Sequence, residues 1–162
     1  GASPRHGVNA SVEAAPPPPP EPEHVPPVYF ALPGDATKRV LRMIPTRDAL
    51  FIFKEDGVWR LSGATPDDFR IDQFDPDLRL LIPETACALR DRIYAWTQRG
   101  VVAIADAGVV DLSPPIAALI DQITQRFASY PSAAKGAFAV ALPTSDEYVL
   151  FLPDSVTSSA SV

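Results

Sequence analysis

From residue 39 to residue 112, apolar and polar positions alternate in short runs broken by turn residues, which is the periodicity of β-strands. The clearest piece runs from Arg47 to Leu61. It holds two apolar runs, Leu50 to Phe53 and Val58 to Leu61, joined through Glu55-Asp56-Gly57. An Asp-Gly step between such runs predicts a tight hairpin, because glycine reaches positive φ without a Cβ clash. The pattern returns without a gap from Arg90 to Ile104. Arg, Asp and Gly are identical, Leu50 becomes Ile93, Phe51 becomes Tyr94 and Phe53 becomes Trp96. A third, weaker copy is read at Ala137–Leu142, a polar turn from Pro143 to Asp146, and Glu147–Leu152.

Each hairpin has room for a strand on either side. In the first unit Arg39–Ile44 precedes it and Phe69–Phe74 follows; in the second, Ala86–Leu89 precedes and Val109–Leu112 follows. A period of about 40–45 residues with several strands per unit is the signature of propeller blades. The expected fold is therefore mainly β, with antiparallel four-stranded blade-like repeats forming a partial β-propeller. An ordinary meander of similar hairpins is the alternative. Gly57 and Gly100 are the expected structural turns, and Phe51, Phe53, Trp59, Tyr94 and Trp96 the expected core aromatics.

One segment breaks the strand period. After Ser113-Pro114-Pro115, the residues Ile116, Leu119, Ile120, Ile123 and Phe127 recur at helical spacing, which predicts one inserted amphipathic helix over 114–129. Ser113 is the expected N-cap, and proline is tolerated in a first turn. The apolar face either packs on its own sheet or serves as an interface with a neighbouring subunit.

Composition divides the chain further. Eight of its 19 prolines fall between Pro16 and Pro27, so residues 1–27 read as a disordered, extended proline-rich leader. Residues 28–154 form the blade-like region, and the small polar residues 155–162 read as a frayed tail. The net charge of −6 and the absence of a basic stripe argue against specific nucleic-acid binding. No apolar stretch is long enough for membrane insertion as a helix.

The chemistry-bearing residues are sparse. Cys87 is the single cysteine, which excludes an intrachain disulfide, and between Ala86 and Ala88 it reads as a small hydrophobe. His6 and His24 both lie in the proline-rich leader, away from any folded cleft. Asp67, Asp68, Asp72, Asp75 and Asp77 do not follow the EF-hand spacing and read as loop residues. No phosphate loop or nucleophile elbow is present. The expectation is a non-enzyme with no catalytic residues, metal or cofactor.

The run Ile44–Gly63, with its Phe51-Ile52-Phe53-Lys54-Glu55-Asp56-Gly57-Val58-Trp59-Arg60 centre, resembles propeller repeats of bacteriophage tail structural proteins of the nozzle or tubular type. Gly100–Ile104, Leu112–Ile116 and Glu147–Pro153 extend that resemblance over roughly residues 39 to 155. It implies a virion structural protein, assembled in the host cytoplasm, with other tail subunits as partners in a homo-oligomeric ring. A closed propeller needs about four blades, more than this chain supplies. Two other functions compete: a propeller-type module that binds proteins in a cellular or larger multidomain protein, and part of a hydrolase or lyase propeller.

Overall fold

The computed structural model describes residues 1–3, 29–129 and 135–153. Apart from residues 1–3, the proline-rich leader lies outside the described residues, as does the tail 155–162. Two four-stranded antiparallel meanders dominate. The first contains β1 (Val40–Pro45), β2 (Ala49–Lys54), β3 (Gly57–Ser62) and β4 (Arg70–Asp75), paired in chain order. The second contains β5 (Cys87–Leu89), β6 (Arg92–Thr97), β7 (Gly100–Ala105) and β8 (Gly108–Asp111), again in chain order. Helix α1 (Ala117–Ser129) follows a 3-10 turn at Pro114–Ile116. The hairpin of β9 (Phe138–Leu142) and β10 (Glu147–Phe151) comes last. Among the described residues the fold is mainly β with one α-helix, and the sheets do not close on themselves.

The turn chemistry explains the hairpins. Lys54 pairs with Gly57 and Thr97 with Gly100, so each loop has two residues, and both glycines take positive φ, 135° and 101°. A side chain at Gly57 would meet the Asp75 carbonyl oxygen at 2.8 Å, because the end of β4 crosses over the turn. The β3–β4 pairing slips at Val58/Trp59, and Phe74 stands edge-on to Phe51 at 5.1 Å.

The alternation of strand residues then sets the layers. Phe51, Phe53 and Val58 of the first sheet pack against Ile93, Ala95, Val102 and Ile104 of the second in one buried cluster. The opposite face of the second sheet presents Trp96 and Val101 to Ile120 of α1, with Tyr148 and Leu150 of β10 packed alongside. The second sheet is thus covered on both faces, and Ile93, Ala95, Trp96, Val102 and Ile104 are fully buried. Burying an aromatic or branched side chain contributes about 1.5–3 kcal/mol, so this central layer carries much of the stability.

The layers stack in the same sense. Leu50 and Phe51 align with Ile93 and Tyr94 in sequence, yet Phe51 touches the layer containing Ile93, while Tyr94 faces away toward the last hairpin. One face of each unit therefore meets the opposite face of the next.

The last hairpin corrects the alignment expected from sequence. It does not repeat the β2–β3 and β6–β7 hairpins. β9 lies against β5, Tyr148 of β10 stacks on Tyr94 of β6 at 5.5 Å, and Asp146 in its turn pairs with Arg90 in the β5–β6 turn. The hairpin therefore corresponds to the first two strands of a unit. Its Asp146-Glu147-Tyr148 aligns with Asp91-Arg92-Ile93 and Asp48-Ala49-Leu50. The longer turn and the helix inserted before it conceal this register in the sequence.

Candidate functional site

The surfaces able to act are the two ends of this stack. At the far end, β9 and β10 turn Ala139, Ala141, Tyr148 and Leu150 inward, with Tyr148 and Leu150 packed against the second sheet. The other face carries Phe138, Val140, Leu142, Val149 and Phe151. Phe138 and Phe151 stack in parallel at 4.7 Å and remain 45% and 46% exposed. Val140 and Leu142 are also exposed. In the units before it, the corresponding face, bearing Phe51 and Phe53 or Tyr94 and Trp96, is covered by the next layer. Among the described residues, nothing covers the last such face.

At the near end, the outward residues Ile52 and Trp59 are buried although no sheet among the described residues covers them. The chain between Pro33 and Thr37 lies across this face. Lys54, only 3% exposed, anchors it: Nζ donates to the carbonyls of Asp35 at 3.1 Å and Pro33 at 3.4 Å. The same ammonium pairs with Asp56 Oδ2 at 3.4 Å and stands 5.9 Å from the Trp59 ring centre. Asp56 Oδ2 in turn accepts the Asp35 amide proton at 3.1 Å. Desolvation pushes the Asp56 carboxyl up, but the Asp35 amide and the Lys54 charge together hold it below its ordinary value. Asp35 is held low by the Thr37 hydroxyl and amide, and Glu55 by Arg39. The sequence reading missed this clasp. Its one signal was a lysine on the same strand face as Ile52 and Trp59, beside a turn aspartate.

The aromatic residues singled out in the sequence fall into two clusters. Phe51 and Phe53 lie between the first and second sheets, and Trp96 lies between the second sheet and the helix, 5.4 Å from Phe127. Trp59 is buried on the outer face of the first sheet, under the Pro33–Thr37 chain, and Tyr94 is half-buried beneath Tyr148. The predicted interface helix divides. Ile120, Ile123 and Phe127 pack on the second sheet, whereas Ile116 and Leu119 are exposed.

Ser113 does not cap the helix with its side chain. Its buried Oγ accepts the Val101 amide proton at 2.6 Å, and its own amide donates to Asp111 Oδ1. Cys87 is half-buried and free, its thiol pushed up by desolvation. Among the acidic loop residues, Asp75 Oδ1 accepts the amides of Asp77 and Leu78 and so shapes its own turn.

No protein-family model and no curated protein matches this chain.

Proposed function

We propose that this chain is a non-catalytic structural subunit of a phage tail, of the nozzle or tubular type, whose sheets act as propeller blades within a ring of like subunits. The observation that carries the reading is the open apolar face of the β9–β10 hairpin. Phe138, Val140, Leu142 and Phe151 form one exposed patch, at the position where the preceding units bury their aromatics against a following layer. A contiguous exposed apolar patch marks an interaction surface. The same-sense stacking adds support, since unlike faces of successive units already meet within the chain. The likeness of Ile44–Gly63 to tail-protein repeats supplies the biological setting, with the virion tail as location and other tail subunits as partners. The acidic balance of the chain, −6 overall, suits a wall that does not grip a passing phosphate backbone.

The test is the native mass by light scattering across a concentration series. The expected result is a discrete oligomer that Phe151→Glu and Val140→Glu disperse. A monomer at every concentration, unchanged by those substitutions, overturns the reading.

A further inference from the structure

The near end of the stack is closed differently from the contacts within it. Inside the chain, the backward face of the second sheet receives a layer: Ile93, Ala95, Val102 and Ile104 share one buried cluster with Phe51, Phe53 and Val58 of the first sheet. The residues of the first sheet that align with those four are Leu50, Ile52, Trp59 and Leu61, all apolar. The cross-strand pairs Leu50–Leu61 and Ile52–Trp59 put them on one face. The first sheet thus has a backward face of the same build. A strap of irregular chain, Pro33 to Thr37, lies where a preceding layer would sit.

The strap is fitted to this face yet weakly tied to it. Gly34 takes a φ of 93°, and a Cβ there would stand 2.8 Å from the Trp59 ring and 3.3 Å from Lys54 Nζ, so only glycine lets the backbone lie this close. Asp35 Oδ1 accepts the Thr37 amide proton at 2.8 Å and the Thr37 hydroxyl proton at 2.7 Å, which holds the bend of the strap by itself. The sheet grips it through side chains: Lys54 Nζ on the Pro33 and Asp35 carbonyls, and Asp56 on the Asp35 amide. Among the described residues no strand pairing ties it down. The position of Lys54 in the second unit is held by Thr97, which is buried and donates its hydroxyl proton to the Gly100 carbonyl of its own turn at 3.0 Å. A lysine there would drive an ammonium into the contact between the sheets. Lys54 is therefore the departure from the repeat that gives the first unit a strap.

We infer that the Pro33–Thr37 strap is an autoinhibitory cap, which has to lift before the backward face of the first sheet takes the outer face of the β9–β10 hairpin of a second copy. Stacked repeats need a terminal face that does not adhere, and the strap supplies it here. The partner follows from the contacts inside the chain, where backward faces meet forward faces bearing Phe51 and Phe53 or Tyr94 and Trp96; Phe138 and Phe151 are exposed on a face of that kind. That choice of partner rests on the assembly reading, whereas the cap itself does not. A segment held by so few contacts opens locally while the sheets stay folded. Association at this end is then weakened by the small fraction of chains whose strap is open.

Gly34→Ala in the full chain lifts the strap without touching a strand, and Lys54→Thr removes the grip from the sheet side. Both should speed amide exchange at Asp35 while far-ultraviolet circular dichroism is unchanged. In light scattering, Gly34→Ala should associate at a concentration roughly tenfold or more below that of the unaltered chain. Adding Phe151→Glu should abolish that gain and leave the Asp35 exchange fast. A synthetic peptide of residues 29–38 should bind the Gly34→Ala chain saturably and restore the weaker association, and it should not bind once Lys54→Thr is added. Unaltered Asp35 exchange in both variants overturns the inference. So does a lifted strap with no gain in association, or a gain that Phe151→Glu leaves in place. The two readings fail separately. An unaltered chain that stays monomeric beside an associating Gly34→Ala variant sinks the ring and keeps the cap, and an oligomer indifferent to Gly34→Ala does the reverse.

Discussion

Ser113 Oγ receives the Val101 amide proton at 2.6 Å, tying the start of the helical segment to the middle of the second sheet. The same hydroxyl occupies the space above Gly100, where an added Cβ would come within 2.3 Å of it. One serine thus satisfies a strand amide and makes glycine necessary in the adjoining turn. Ser113→Ala leaves a buried amide without a partner and should cost about 1–3 kcal/mol, read as a lowered denaturant midpoint with unchanged slope.

Gly100→Val and Gly57→Val should each destabilise by about 1–3 kcal/mol from backbone conformation alone. The Asp75 carbonyl at 2.8 Å and Ser113 add a steric cost at the two positions. Thermal melts of the single variants test this; a wild-type midpoint for either would contradict the assigned turn.

Trp96 is fully buried, and Trp59 is 7% exposed. Trp96→Ala should cost about 3–5 kcal/mol, near the limit a domain of this size tolerates. Acrylamide should quench neither tryptophan efficiently in the native chain. Efficient quenching of both would refute the core assigned to them.

The clasp around Lys54 is expected to weaken in acid. Asp35, Asp56 and Glu55 all have folded-state values below their ordinary 3.8, 3.8 and 4.5. Their contribution is therefore complete above those values and is lost as the pH falls through the lower folded ones. Below about pH 4 the Pro33–Thr37 chain should loosen from Trp59, raising acrylamide quenching of Trp59 in a Trp96→Phe background. Lys54→Ala should produce the same exposure at neutral pH and lower stability by about 2 kcal/mol. An unchanged Trp59 in that variant would show that the lysine does not hold the segment.

Tyr148 bridges layers by stacking on Tyr94 and by donating its hydroxyl proton to the Thr85 carbonyl at 2.9 Å. Burial raises its phenol well above the ordinary value. Tyr148→Phe keeps the stack and should cost about 1 kcal/mol, whereas Tyr148→Ala should cost about 3–5 kcal/mol and free the last hairpin. Chemical denaturation distinguishes the two.

The strands of the first two units were legible in the chain because their signals are local: an Asp-Gly or Gly turn flanked by alternating apolar runs. β1, β4, β5 and β8 fall within a residue or two of their expected places. The helix was equally plain, from Ile116 to Phe127. What the sequence concealed is relational. That β9–β10 stands over β5–β6 depends on Tyr148 meeting Tyr94 and on Asp146 meeting Arg90, pairs far apart along the chain. The clasp was hidden for the same reason: Lys54 is a buried ammonium only because the Pro33–Asp35 carbonyls fold back onto it. The open face on Phe138 and Phe151 could not be read from alternation, which shows that a strand has two faces but not which neighbour each one meets.

The same-sense stacking of units also bears on how such a chain can lengthen over evolution. Because each layer offers one kind of face forward and the other kind backward, a duplicated stretch of coding sequence brings both halves of its contact with it. No new interface has to be invented for the extra copy. The connection between copies is then free to vary, and α1, spliced in after β8, is one such variation: the register of the layers continues across it.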